Sequence, residues 1–312
     1  MKLKLNLAQL IIAGFFSSLL IIASCSKEKS QSAANTQQEV EASQSSSEAD
    51  AEAEVVFNGV FDDAMGVNND VGISGTGIFF GRSSSGGSQE VARGDSLTPV
   101  GRCFTVTVTH TSANLFPVRV LIDFGTAGCP GPDGHIRRGK VIIEYSNRLI
   151  YPGAVATTSF DGFYIDSVKV EGTHKITNTS TTNNRQFKVD VVDAKLSRPN
   201  GNYTEWTSHK TITQVEGLGT PDMPRDDVFT ITGNANGRVK KGSLLVAWES
   251  ATTEPLYKRF TCQWIVKGRI RTIRVNNTAS SPWVAILDFG GPNCDNQAVI
   301  TINGTAHNIT LP

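Results

Sequence analysis

Hydrophobic and polar residues alternate along most of the chain beyond Cys103. Alternation with a period of two is clearest at 104–109 and returns at 168–171, 187–191, 229–232 and 269–275. Asn, Gly and Pro interrupt these runs about every ten residues, as turns do between antiparallel strands. No stretch after residue 66 keeps a helical period over three turns. The pattern predicts an all-β fold, built as an antiparallel meander or sandwich.

The first third of the chain follows other patterns. The apolar residues of Val55–Met65 fit a helix and a first strand equally well, and Gly66–Ser88 is a loop rich in Gly and Ser. Before them, residues 26–54 are mostly Ser, Gln, Ala and Glu, with no aromatic residue. Such a segment buries too little apolar surface to offset the entropy of ordering it. We therefore predict a disordered tether over 26–54.

One segment occurs twice within the predicted sheet. Pro117–Cys129 and Pro282–Cys294 both contain Asp-Phe-Gly, with Pro six residues before the Asp and Cys six residues after it. We interpret the agreement as an ancestral duplication. Asp-Phe-Gly also occurs in the magnesium loop of protein kinases, but no catalytic loop or strand lysine accompanies it here. Its place in both copies favours a strand that ends and turns at the glycine.

Each copy has a second cysteine upstream, at Cys103 and Cys262. Paired residues of an antiparallel hairpin share a constant index sum, and Cys103 and Cys129 centre on 116, close to the turn before Pro117. Cys262 and Cys294 centre on 278, in the turn before Pro282. We predict disulfides Cys103–Cys129 and Cys262–Cys294 across the open ends of the two hairpins, each stabilising the fold by about 3–4 kcal/mol. The fold class is therefore all-β with an internally duplicated, disulfide-stapled hairpin.

The N-terminus explains the fifth cysteine. Lys2 and Lys4 precede an apolar run over Leu10–Ala23, which is the order of a secretory signal. The closing residues Ile22-Ala23-Ser24-Cys25 resemble the lipobox of bacterial lipoproteins. The resemblance implies cleavage before Cys25, a diacylglyceryl group on its thiol and usually an acyl chain such as palmitate on the new amine. Two or more chains give lasting membrane attachment.

The resemblance also implies a location in the cell. Ser26 rather than Asp follows the cysteine, which favours the outer membrane of the cell envelope. The rest of the chain is similar to Bacteroidota envelope lipoproteins only in general terms, and no activity comes with that likeness. The predicted organisation is a signal peptide (1–24), a lipidated cysteine with its tether (25–54) and an all-β body (55–312). The body divides into a lead-in (55–100), the first copy (101–150), intervening strands (151–258) and the second copy (259–312).

Charge and side-chain chemistry favour no enzyme class. The chain has 29 basic and 29 acidic residues, which is too weak a field to predict nucleic-acid binding. We expect no catalytic residue, metal site or cofactor, because the five histidines are scattered without zinc spacing; they are His110, His135, His174, His209 and His307. Asp161, Glu171 and Asp226-Asp227 could serve glycoside hydrolysis only if two of them converge, and solvated loop charges are the simpler interpretation. Asp133-Gly134-His135 is interpreted as a turn.

The tryptophans leave two alternatives open. Trp206, Trp248, Trp264 and Trp283 all lie in the second half of the chain. Buried, they form core between layers; exposed, they form a stacking platform for sugars. We favour core.

Three functional hypotheses follow. The first is a non-enzymatic envelope lipoprotein with a structural or interaction role, bound to a membrane through its lipid and presenting its body to an envelope protein or a glycan. The second is a lipoprotein that binds or processes carbohydrate, and the third is an accessory subunit of an outer-membrane complex.

Overall fold

The computed structural model describes residues 24–65, 96–97, 103–114, 116–131, 134–220, 226–275 and 283–312. The chain divides into two compact units, Met1–Ala42 and Ser43–Pro312. One α-helix, α1 (Ser24–Met65), runs from the first unit into the second. Cys25 lies in its first turn, and the predicted signal peptide over 1–23 lies outside the described residues. None of the described helices is long and apolar enough to cross a membrane.

All fifteen described strands belong to the second unit. They are β1 (Ser96–Leu97), β2 (Thr105–His110), β3 (Val118–Asp123), β4 (Cys129–Pro130), β5 (Ile136–Tyr145), β6 (Val155–Ile165), β7 (Val168–Asn178), β8 (Gln186–Ser197), β9 (Tyr203–Glu216), β10 (Val228–Lys241), β11 (Leu244–Arg259), β12 (Ile265–Arg274), β13 (Val284–Asp288), β14 (Gln297–Ile302) and β15 (Thr305–Thr310).

The strands form a single antiparallel meander. Every strand pairs with its neighbour in the chain, in the order β1-β2-β3-β5 and then without interruption to β15, while the short β4 pairs with β5 off this path. The predicted all-β antiparallel meander is therefore confirmed. Successive side chains of a strand point to opposite faces of the sheet. The alternating hydrophobic residues therefore lie together on one face, and that face is buried.

One lateral row of paired residues crosses eleven strands and defines the buried face, called here the inner face. All members of the row are buried. They are Val120, Ile143, Thr158, His174, Val191, Ser208, Ala235, Ser250, Thr272, Ala285 and Ile302. Nearly half of the row is polar, so the inner face is not a purely hydrophobic surface.

The part of α1 from Ser43 to Met65 packs against the inner face. Phe57 stacks on Trp206 with ring centroids 5.6 Å apart. Phe61 meets Phe187 of β8 and Phe229 of β10 edge-on, at 6.2 and 6.3 Å. These rings anchor the helix across the middle of the sheet, since large aromatic surfaces dominate the free energy of burial.

The predicted disordered tether over 26–54 is wrong, because the chain is helical throughout this segment. Helix α1 covers it, and residues from Ser43 to Glu54 are largely buried. Composition suggested disorder because small and acidic side chains bury little apolar surface by themselves. In the protein, the Ala and Ser residues at 43–54 are buried, and Glu48, Asp50, Glu52 and Glu54 find partners on distant strands or at their ends. The open choice at Val55–Met65 is resolved as helix, and the body begins at Ser43 rather than Val55.

Both predicted disulfides are present. Cys103 and Cys129 have Cα atoms 5.4 Å apart, and Cys262 and Cys294 5.7 Å. The second bridge crosses the open end of the β12–β13 hairpin, as predicted. The first lies farther along, because Cys129 has already left β3 and pairs with β5 as part of β4.

The repeated Asp-Phe-Gly is a strand end, as predicted. Asp123 ends β3 and Asp288 ends β13. In each copy the carboxylate accepts a hydrogen bond from the backbone N–H of the glycine, Gly125 at 2.9 Å and Gly290 at 2.8 Å. Both glycines have positive φ, 66° and 80°, a conformation that glycine adopts without strain.

Candidate functional site

Five acidic residues of α1, between Glu48 and Asp62, each meet a specific partner on the sheet. The partners come from four neighbouring strands or their ends, so the helix is held at many points along its length. The contacts are Glu48–Lys241, Asp50 with Trp206 and Trp248, Glu52–Arg198, Glu54–Lys210 and Asp62–Lys258.

Two of these ion pairs involve deeply buried charges. The Glu54 carboxylate and the Lys210 ammonium are 3.1 Å apart, with side chains 4% and 5% exposed. Lys258 is fully buried, and its ammonium lies 2.8 Å from Asp62. Burial raises the pKa of Asp62 to about 6, although Lys258 acts in the opposite direction. Buried ion pairs add little net stability, but they penalise any arrangement that separates the partners.

Asp50 is held by two indoles on either side of a glycine. Gly237 of β10 pairs with Trp206 of β9 and with Trp248 of β11. Both indole N–H groups donate to Asp50 Oδ1, at 2.8 and 3.2 Å. A Cβ atom at position 237 would lie 2.5 Å from Trp248 Cζ2 and 2.5 Å from the Glu205 carbonyl oxygen. The absence of a side chain at Gly237 therefore lets both rings share one carboxylate.

We predict that Gly237→Ala lowers the free energy of unfolding by about 2 kcal/mol, because the added methyl group overpacks a closed site. Urea unfolding of the variant and the wild type measures this. Gly291→Ala, after β13, has open space around its Cβ position and no positive φ, so it controls for the exchange of Gly for Ala itself. A Gly237→Ala variant as stable as the wild type would contradict the close packing of the two indoles.

A hollow of about 580 Å³ lies on the opposite face of the sheet, over the same strands. Its walls are side chains of β8–β11 that point away from α1. Trp206, Gly237 and Trp248 also line it, although both indole rings belong to the inner face. Five charged residues, two of them basic, line it. They are Asp193, Lys195, Glu205, Arg238 and Glu249. Asp193 has a left-handed backbone (φ 52°) at the bulge between Val191 and Ala194, and the bulge widens this end of the hollow.

The structure divides the four tryptophans. Trp206 and Trp248 are core, at 3% and 1% exposure, which confirms the favoured interpretation for them. Trp264 and Trp283 are only half-buried, and the Trp264 indole N–H donates to the Pro312 carbonyl at 2.9 Å. The four rings do not form one shared surface for a sugar, since two of them face the helix.

The described residues do not bring the histidines together. His135 is 2.8 Å from Asp166, in the β6–β7 turn, and His209 is 2.7 Å from Asp190 on β8. His174 is fully buried on β7. No group of three or more His, Cys, Asp and Glu side chains that could hold a metal occurs among the described residues. Asp133, of the predicted Asp-Gly-His turn, lies outside them.

The candidate carboxylates have separate partners. Asp161 pairs with Lys140 at 3.6 Å and Glu171 with Lys169 at 2.6 Å. Asp227 accepts a hydrogen bond of 2.6 Å from the Gln214 amide, and burial together with neighbouring Asp226 raises its pKa to about 7. Asp226 itself accepts from the Thr220 hydroxyl at 2.6 Å. The structure thus gives each carboxylate a local structural partner.

Comparison with family models, with curated proteins and with solved structures finds no match for this chain. The hollow and the helix contacts were not predicted from the sequence. The one local signal for them is Gly237, a glycine within a strand, which often marks a close approach to the backbone.

Proposed function

We propose that the protein is a non-enzymatic lipoprotein of the bacterial envelope, anchored to a membrane through Cys25 and presenting its β sheet to a partner. The observation that carries the proposal is the burial of α1 from Ser43. From Ser43 onward the helix is part of the core of the sheet, so along the sequence residues 26–42 lie between the proposed anchor and the body.

The contacts of α1 support a close attachment of its second half to the sheet. Five acids of α1 between Glu48 and Asp62 contact side chains of the sheet, and these contacts fix this part of the helix against the sheet. The two disulfides reinforce the sheet outside this region, at Cys103–Cys129 and Cys262–Cys294. Disulfides of this kind suit an oxidising compartment such as the envelope.

A glycan-binding role draws on a different feature. The tryptophans do not supply a stacking platform, so a sugar would have to bind in the charged hollow on the outer face. Hydrogen bonds from charged side chains to hydroxyl groups give such sites their specificity, while stacking gives much of their affinity. Because no exposed ring among the described residues lines the hollow, glycan binding is a weaker candidate than presentation of the sheet to a partner.

Replacing Cys25 by Ser tests the anchor. We expect the wild type to incorporate an alkyne analogue of palmitate and to fractionate with membranes, and the variant to incorporate none. Because Cys25 lies outside both disulfides, the variant body should keep the unfolding midpoint of the wild type. Ser26→Ala, next to the anchor, serves as the control and should be labelled like the wild type. Labelling of the Cys25→Ser variant would refute the anchor, and loss of its fold would refute the separation of anchor and body.

A further inference from the structure

The outer hollow is built from two parallel rows of side chains. Residues that pair across strands lie about 4.8 Å apart, and residues two apart in a strand lie about 7 Å apart on one face. The first row is Lys195 on β8, Glu205 on β9 and Arg238 on β10, which pair in that order. The second row lies two residues along the same strands, at Asp193, Thr207 and Asn236. Glu249 on β11, which pairs with Asn236, extends this row.

The two rows differ in how their charges are satisfied. In the first row Glu205 is shared between two cations, Lys195 at 3.6 Å and Arg238 at 3.9 Å. Both distances are long for ion pairs, so a single carboxylate serves two cations loosely. In the second row, the side chains of Asp193, Thr207, Asn236 and Glu249 have no polar partner within the part of the chain that the structure describes. The Lys195 ammonium also lies over the Tyr203 ring, 4.6 Å from its centroid. The hollow thus offers loosely paired cations on one side and free acceptors on the other.

This separation of charge defines the ligand. We propose that the hollow binds a small zwitterionic ligand of the short-peptide class, with a carboxylate against Lys195 and Arg238 and an ammonium against Asp193 or Glu249. A free carboxylate would give the Arg238 guanidinium the bidentate partner that Glu205 does not supply at 3.9 Å. Glu249 is on the strand next to Arg238, one row away, so a ligand of a few residues reaches both.

The size and surface of the hollow favour a peptide over other polar ligands. Its volume of about 580 Å³ is within the range of sites for small molecules. A neutral sugar would leave Lys195 and Arg238 with only their loose pairing to Glu205 and would leave Asp193 and Glu249 without a counterion. The rings that border the hollow are buried, so they offer no face for stacking. A purely anionic ligand would face three carboxylates, and a purely cationic one would face two cations.

Binding to the full chain, purified in detergent micelles, can be measured by isothermal titration calorimetry. The probe is trialanine with free termini, and the comparison ligands are N-acetyl-trialanine amide and the disaccharide diacetylchitobiose. We expect trialanine to bind with a dissociation constant of about 1 mM or lower, and the blocked peptide at least tenfold more weakly. Arg238→Gln and Glu249→Gln should each weaken trialanine binding by about tenfold or more, because each removes a charged hydrogen-bond partner.

Charge-matched controls are available on β7. Lys169→Gln and Glu171→Gln alter an exposed ion pair outside the hollow, and both variants should bind trialanine like the wild type. The proposal is overturned if trialanine gives no saturable heat up to about 10 mM, if the blocked peptide or the disaccharide binds as well, or if the hollow variants stay within twofold of the wild type. The measurement does not depend on lipid at Cys25, so its failure leaves the proposed anchor untouched.

Discussion

Lys210→Met should lower the free energy of unfolding by about 3–5 kcal/mol, because it leaves the buried Glu54 carboxylate without its cation. Glu54→Met should cost a similar amount by stranding the ammonium. The double variant should return to within about 1 kcal/mol of the wild type, since replacing both members of a buried ion pair by apolar side chains is often neutral. Urea unfolding of the four proteins closes the double-mutant cycle.

A surface pair is the matched control for this cycle. Lys169 and Glu171 are 2.6 Å apart but 37% and 43% exposed, so Lys169→Met should cost much less stability than Lys210→Met, because solvent screens an exposed pair. If Lys210→Met costs no more than Lys169→Met, then water reaches Glu54 and α1 is not buried at this point. A double variant as unstable as the single ones would show instead that the two side chains contribute separately.

The sheet could be predicted because its signal is local. Strands β2, β8 and β12 each contain their own alternation, and a strand needs only neighbours of the same kind to bury one side. The disulfides were equally accessible, because the repeated Asp-Phe-Gly set a register around which Cys103 and Cys262 could be placed. The position of the first disulfide relative to the β2–β3 hairpin could not be predicted. The chain leaves this hairpin through a turn before β4, and no spacing in the sequence indicates that turn.

Helix α1 could not be predicted because the residues that stabilise it lie far away in the sequence. Asp50 and Glu54 look like solvated charges until Trp206, Trp248 and Lys210 are placed beside them, and these partners lie more than 150 residues along the chain. A helix buried on most of its circumference also lacks the apolar stripe by which amphipathic helices are recognised. The hollow was missed for the same reason, because its two rows exist only once β8–β11 are in register.

His174 predicts that acid destabilises the fold. Its ring lies on the inner face between Thr158 and Val191 and stacks on Phe57 with centroids 6.3 Å apart. In the described part of the chain neither ring nitrogen has a hydrogen-bond partner. Burial lowers the pKa of His174 from 6.5 to about 3, because a protonated imidazole there would lose its hydration without gaining a partner.

The pH dependence follows from where the proton binds. Between pH 6.5 and about 3 the unfolded imidazole is protonated and the folded one is not, so the unfolded state binds more protons. The free energy of unfolding therefore falls as the pH decreases through this window, by about 3 kcal/mol at a pH two units below 6.5. Asp62 and Asp227 act oppositely, because their raised pKa values, about 6 and about 7, favour the folded state on acidification.

His174→Phe isolates the histidine from these opposing carboxylates, because they are common to both proteins. We expect the variant to gain about 3 kcal/mol over the wild type between pH 7 and pH 4.5 in urea unfolding. An NMR titration of the folded protein tests the same point. The chemical shifts of the His174 ring protons should stay constant from pH 7 to pH 4.5. A ring that titrates near pH 6.5, or a stability difference that is independent of pH, would show that water enters between α1 and β7. In that case the polar row of the inner face would be hydrated, and the helix would be held by its ion pairs without a dry interface.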